Sequence, residues 1–432
     1  MIDHTHAPDA ASWIESANRR DADFPIQNLP FCVFRRRGSH EQFRGGIGIG
    51  DMILDLAAVA DLGAAAAAAL AAGGKDSLNT LMSLGQTHWL ALRHAAFAGL
   101  QAGSPDQARL KPALVAQDAV EYGLPAVIGD FTDFYTSVHH ATTVGTMLRP
   151  QNPLMPNYKW VPVAYHGRSS SIGVSGQAFP RPVGQQLAAD AEVPSVSPSQ
   201  RVDYELELGF FVGPGNAMGH PVPVAAAETH VFGACVLNDW SARDIQTWEY
   251  QPLGPFLGKN FATTISPWVV TMAALAPFRA PFVRAAGDPA PLPHLAIGEA
   301  ATAAIDMKLE VALQSARMAQ AGLPPHVLAR SNYRHAYWTL AQMVAHHTSN
   351  GCNLRPGDLI GTGTLSGPDP AEQGSILEVT RGGREPLTLP TGETRAFVGD
   401  GDSIVMRAWC EQEGARRIGF GTCVGTVLQA LA

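Results

Sequence analysis

The sequence predicts a mainly β protein of the α+β type, with a small N-terminal module ahead of a larger β-rich domain. Three observations carry this. From about residue 116 onward, short apolar runs are repeatedly cut by glycine and proline, of which the chain holds 43 and 32. That texture suits a rolled or sandwiched sheet better than a parallel α/β sheet. Residues 1–115 differ, combining a few β-type runs with helical material. No internal repeat of fixed period appears. The expected division is therefore 1–115 and 116–432.

In the first part, FCVFRRR and GIGIGDMILDL read as strands of a small barrel or sheet. The alanine-rich Ala64–Ala72 and the stretch Ser77–Ala102 read as helical, and nothing here gathers acids, bases and nucleophiles. In the second part the strand candidates are Val202–Val212, His230–Asn238, Trp268–Met272, Ala304–Leu313, Leu359–Gly363, Ser375–Thr380 and Asp402–Cys410. A helix is expected from about Asn332 to Thr348. Its stripe is Tyr333, Ala336, Tyr337, Leu340, Met343 and Val344, with Gly351 beyond its end. The proline-rich stretch Pro277–Pro293 reads as a surface loop.

Apolar residues make up 46% of the chain and charged residues 16%, which excludes wholesale disorder. A formal net charge of −8 without a long basic run argues against nucleic-acid or anionic-membrane partners. An acidic substrate would need a few cations placed locally. The five cysteines (Cys32, Cys235, Cys352, Cys410, Cys423) are scattered and lack a Cys-x-x-Cys pair, so buried, inert thiols in a reducing compartment are expected. No signal-peptide core opens the chain and no apolar run is long enough to span a bilayer, which gives a cytoplasmic expectation.

Chemistry concentrates in a few segments. In VDYELELGFF a strand period places Glu205 and Glu207 on one face, with Tyr204, Leu206 and Leu208 on the other. Two such anions side by side call for a cation, although a solvated strand face explains the same pair. In VLNDWSARDIQTWEY an apolar run ends at Asp239. A helix from near Ser241 would align Arg243, Gln246 and Tyr250; the plainer reading is a helix cap with an exposed, salt-bridging helix. Asp133 and His140 are seven apart, two helical turns, and so share a face, while a lone histidine is usually structural. Lys259 and Thr263 follow in a glycine-flanked stretch lacking P-loop spacing. Thr364 sits in a tight loop, with Glu378 in the expected strand after it. His346 and His347 suit the last turn of a helix and stay unassigned. Four carboxylates with neither a cysteine ligand nor a histidine pair indicate an oxygen-only site for calcium, magnesium or manganese.

The runs DFTDFYTSVHHATTVG, YHGRSSS, ELELGFFVG, LNDWSARDIQTWEYQPLGPFLGKNF, TTISPW, GCNLRPGDL and GTLSGP closely resemble the fumarylacetoacetase family, over nearly the whole chain. The resemblance implies an N-terminal SH3-like barrel and a larger mixed β-roll, in a cytoplasmic homodimer. The implied reaction is metal-dependent hydrolysis of a small dicarboxylate β-diketone, fumarylacetoacetate, to fumarate and acetoacetate in tyrosine and phenylalanine breakdown. It implies calcium on Asp133, Glu205, Glu207 and Asp239, with a magnesium-type site near Asp239, Lys259 and Thr263. His140 matches the general base, Glu378 its partner, and Arg243, Gln246 and Lys259 the groups stabilising developing negative charge. Tyr135, Arg149, Gln246, Tyr250 and Thr364 match the substrate contacts. The rival readings are another enzyme of the same superfamily (an acylpyruvate hydrolase, a decarboxylase or a hydratase) and a non-catalytic calcium-stabilised scaffold.

Overall fold

The structure is a computed structural model that describes residues 2–188 and 190–431. Its first sheet has five antiparallel strands, ordered Leu114–Ala116, Met52–Asp55, Arg44–Ile49, Phe31–Arg36, Val120–Gly123. The two edge strands are joined by only the three residues Gln117–Ala119. The sheet therefore curls enough for so short a link to join its two edges. Glycine in RGGIGI lets a helix lie on this sheet, since a Cβ at Gly45 would stand 1.8 Å from the Gly73 carbonyl oxygen. The helix Gln86–Leu100 buries Trp89, Leu92 and Phe97 behind it.

The remainder is built on two sheets. The larger runs Ala164–Gly167, Phe131–Phe134, Leu359–Gly361, Leu206–Val212, Val231–Asp239, Thr263–Ile265, Ile172–Val174, with Val270–Thr271 branching from the fifth. The second runs His326–Asn332, Lys308–Gln314, Ser403–Cys410, Ile418–Leu428, Gln177–Pro180. Between them lies a core that includes Leu208, Phe210, Trp240, Val311, Met406 and Phe420, all fully buried. The opposite face of the larger sheet is covered as well. Phe211, Phe232, Leu237 and Val269 join one cluster with Phe31, Ile47, Leu54 and Trp89 of the first part. Phe31 and Val269 also exchange backbone hydrogen bonds of 2.9 and 2.8 Å. The N-terminal part thus shares its core with the larger sheet. Apolar residues on both faces explain why LELGFFV has no exposed position.

Several expected elements differ. The Val202–Val212 run is broken: Val202–Asp203 pairs with Ser241–Ala242, and only Leu206–Val212 enters the large sheet. The helix expected from Asn332 starts at Leu340, because Thr339 and Gln342 form a capping box there, while His326–Asn332 is a strand. Ser375–Thr380 holds a short helix, Ile376–Val379, instead of a strand, since the Ser375 hydroxyl caps it by accepting the Glu378 N–H. Asp133 and His140 do not share a helix. Asp133 belongs to the strand Phe131–Phe134, and His140 to the helix Val138–Leu148 capped by Ser137. Cys352 is exposed, unlike the other four cysteines. Among the described residues, no helix is long and apolar enough to cross a membrane.

Candidate active site

Strand alternation and register assemble the acidic cluster. Across the large sheet, Asp133 is the partner of Gly361, Gly361 of Gly209, and Asp239 of Thr263, while Glu207 pairs with Leu237. Side chains two residues apart share a face, so Asp133, Glu205, Glu207, Asp239 and Thr263 all project to the same side. Gly361 makes room for them: a Cβ there would lie 2.4 Å from Asp133 Oδ1. The Gly363 N–H donates to Asp133 Oδ1 (3.0 Å) and Glu207 Oε2 (3.1 Å).

All four carboxylates are buried, and they offer oxygens within 4.8 Å of one another. Burial pushes the Asp133 and Glu207 carboxyls well above the usual carboxylate range, with the charge of Asp239 adding to the rise at Asp133 and that of Asp133 to the rise at Glu207. Burial also lifts Asp239, where Lys259 opposes it. Burial would lift Glu205 too, yet Lys259 and Arg243 hold it below its ordinary value. Once ionised, these four and Asp203 would set five buried carboxylates against only two buried cations, Arg243 and Lys259, an excess of three negative charges. Glu207 Oε1 is buried and has no hydrogen-bond partner. A hard divalent cation answers both the excess charge and the unpaired oxygen, and the donor set suits one.

The basic groups meet the cluster from a neighbouring segment. Lys259 Nζ donates to Glu205 Oε2 and to Asp239 Oδ2 (2.9 Å), and the Thr263 hydroxyl donates to Asp239 Oδ1 (2.8 Å). An ammonium has no lone pair, so only the Lys259 backbone carbonyl could ligate a cation. Arg243 donates through Nε to Asp203 Oδ2 (2.8 Å) and through Nη1 to Gln246 Oε1 (3.1 Å). Its Nη2 pairs with Glu205 Oε1 at 2.8 Å. With its oxygen engaged, Gln246 keeps its two amide N–H groups as donors.

His140 Nδ1 and Glu378 Oε2 are 2.7 Å apart and both residues are buried. Two serine hydroxyls also donate to Glu378, Ser366 at 3.0 Å and Ser375 at 2.8 Å. Each serine oxygen accepts a backbone N–H in turn, Ser366 from Gly374 and Ser375 from Glu378. Burial would raise the Glu378 carboxyl, but the His140 charge and these hydrogen bonds hold it below its ordinary value. An ionised Glu378 fixes a proton on His140 Nδ1, so that the neutral ring carries its lone pair on Nε2.

The remaining residues singled out from the sequence lie around this centre. The Tyr135 ring meets His140 edge-on at 5.4 Å, and its phenol, raised by burial, stays a donor. Arg149, at the end of the His140 helix, is near enough for its charge to act on Tyr135, and its Nε is buried without a partner. Thr364 Oγ1 is likewise buried and unpaired. Tyr250 follows the helix Arg243–Glu249 and makes no side-chain hydrogen bond to the cluster among the described residues. Asp203, Tyr165, Ser366 and Ser375 were not singled out. Tyr165 donates to Asp239 Oδ2. Asp203 extends the D-x-E-x-E alternation, and Ser375 begins an S-x-x-E capping signature, so both had a readable signal. A cavity of about 1260 Å³, lined in part by Phe31, Trp89, Phe232 and Met272, contains none of these groups.

Residues 130–428 match the family model described as Fumarylacetoacetate (FAA) hydrolase C-terminal, and residues 27–125 match Fumarylacetoacetase N-terminal. The chain is 47% identical over 418 residues to the Fumarylacetoacetase of Homo sapiens, covering 95% of this chain and 97% of that one. It is 48% identical over 422 residues to the Fumarylacetoacetase of Caenorhabditis elegans, covering 95% and 98%. Among solved structures, the fumarylacetoacetate hydrolase from psychrophilic Exiguobacterium antarcticum shares the fold at a TM-score of 0.50 and 17% identity, over 93% of this chain and 99% of that one. With both parts matched by family models and nearly the full length by these relatives, the chain belongs to the fumarylacetoacetase family.

Proposed function

We propose that this chain is a cation-dependent hydrolase that cleaves fumarylacetoacetate to fumarate and acetoacetate, with His140 as general base. The observation that carries this reading is the buried His140–Glu378 pair, with its Nε2 lone pair, beside four converging carboxylates. A cation held by Asp133, Glu205, Glu207 and Asp239 supplies, when bound, Lewis-acid polarisation of the diketone oxygens.

His140 Nε2 takes a proton from water, whose oxygen bonds to the carbonyl carbon on the fumaryl side. Arg243, the Gln246 amide and Lys259 donate to the oxyanion that forms. The carbon–carbon bond then breaks. Its electron pair leaves on the acetoacetate carbon, which is protonated as the fumaryl carbon becomes a carboxylate. Arg149, Tyr135, Tyr250 and Thr364 hold the substrate's carboxylates, a task for which a guanidinium fork is well shaped. Calcium suits the four-carboxylate position, and magnesium a position beside Asp239 and Thr263 that includes the Lys259 carbonyl. The enzyme works as a cytoplasmic homodimer.

The test is the decay of fumarylacetoacetate's ultraviolet absorbance. Decay with magnesium or calcium, lost on chelation and in a folded His140→Ala variant, is expected. Turnover that survives chelation, or substantial turnover by His140→Ala, overturns the reading.

A further inference from the structure

We infer that Asp203 is a positioning residue for this reaction, a single carboxylate that sets Arg243 and the Glu378 segment in register. The inference rests on the roles of Arg243 and Glu378 given above. Asp203 is fully buried and lies two residues before Glu205. Its Oδ2 accepts from Arg243 Nε at 2.8 Å and from the Leu377 N–H at 3.3 Å. Its Oδ1 accepts from the Ile376 N–H at 2.8 Å. Ile376 and Leu377 immediately precede Glu378, which holds the His140 ring. One rigid group therefore links the side that activates water to the side that meets the oxyanion.

The backbone strengthens the link. Val202–Asp203 pairs antiparallel with Ser241–Ala242, and the Arg243 N–H donates to the Arg201 carbonyl at 2.9 Å. Arg243 is thus gripped at both ends. With Nε committed to Asp203, Nη1 to Gln246 and Nη2 paired with Glu205, the guanidinium plane is fixed. Asp203 divides its two oxygens between two pieces of the site.

Asp203→Asn keeps the shape but removes the charge and half the acceptor capacity. Its amide must turn an N–H toward either Arg243 or the Ile376 N–H, so one of the two pieces moves. Displacements of about 1 Å cost roughly 100-fold, and that loss is expected in kcat, with KM changed less than about 3-fold. Cation content should be retained. In a Glu378→Gln background the same substitution should cost at least about 10-fold less than it does alone, because only its hold on Arg243 is then left to lose. Equal losses in the two backgrounds indicate a purely structural role and overturn the inference. If Glu378→Gln alone leaves turnover intact, the reading of the site fails instead. Should Asp203→Asn not fold, Asp203→Glu retains the charge but is one methylene too long for this buried position. It should likewise lose kcat with KM retained, and near-normal kcat in it overturns the inference.

Discussion

Replacing Glu378 with glutamine is the sharpest perturbation the site offers. Three donors converge on this carboxylate: His140 Nδ1 at 2.7 Å, the Ser375 hydroxyl at 2.8 Å and the Ser366 hydroxyl at 3.0 Å. Neither serine is free to turn away, since each oxygen already accepts a backbone N–H. Glutamine offers one acceptor oxygen and two new donors. The relief nearest to hand is for His140 to shift its proton from Nδ1 to Nε2, so that Nδ1 accepts from the amide. That tautomer has no lone pair facing the water. The analogous carboxylate-to-amide change in a Ser-His-Asp triad costs about 10⁴-fold by this same tautomer error. A fall in kcat of roughly 10³- to 10⁴-fold is therefore expected, or about 4–5.5 kcal/mol of barrier. The assay is fumarylacetoacetate decay at saturating cation, with a thermal melt and elemental analysis to show that fold and cation content persist. A folded, cation-loaded variant within about tenfold of the parent rate would refute the reasoning, because the tautomer could not then matter.

Other perturbations probe the acidic cluster and the fold. Glu207→Gln withdraws charge where one oxygen is buried and unpaired. Since outer-shell changes alone cost 10- to 100-fold in metal affinity, at least about a 100-fold loss is expected by calorimetry, and unchanged affinity would remove Glu207 from the ligand set. Because burial raises the Asp133 and Glu207 carboxyls, the cation-free protein binds those protons more tightly than its unfolded chain does. That contribution is fully present below about pH 4 and is lost as pH rises through the folded values. The gap between cation-loaded and chelated melting temperatures should accordingly widen from about pH 4 upward, and a pH-independent gap would contradict this. Gly361→Ala should push Asp133 aside, costing about 1–3 kcal/mol of overpacking together with cation affinity. Unaltered binding would show that Asp133 is not constrained there. Finally, a thiol reagent should modify Cys352 alone in the native protein and all five cysteines after unfolding; rapid modification of a second thiol would show that one of the buried sites opens.

The sequence carried the site further than the details of the fold. Alternation alone put Glu205 and Glu207 on one side, and the apolar run ending at Asp239 is the strand that faces them. Those signals are local, and strand geometry transmits them directly. What sequence spacing misjudged was the path between neighbours. Asp133 and His140 lie on a strand and on a separate helix beyond a turn, not on two turns of one helix. The Ser375 and Thr339 caps each end an expected element because one hydroxyl outcompetes the periodicity around it. The Ile418–Leu428 strand, rich in glycine, had too weak a pattern to register, and its place comes from pairing with Ser403–Cys410. The role of Asp203 depends on meeting Arg243 and Ile376 in space, which no window of sequence contains.

The strand Leu359–Gly361 lies between Phe131–Phe134 and Leu206–Val212 in the large sheet, and its placement bears on how the protein is made. Gly363 reaches back 230 residues to Asp133, and at about 5–20 residues per second a ribosome needs roughly 10–50 s to span that distance. From the synthesis of Asp239 until that of Leu359, 120 residues later, the four carboxylates exist without the strand that seals them in, and Leu206–Val212 keeps an open, apolar edge. Cation loading must therefore await nearly the whole chain. Messages truncated ahead of Leu359 should yield aggregate in place of a weak enzyme, whatever the length of intact domain they encode.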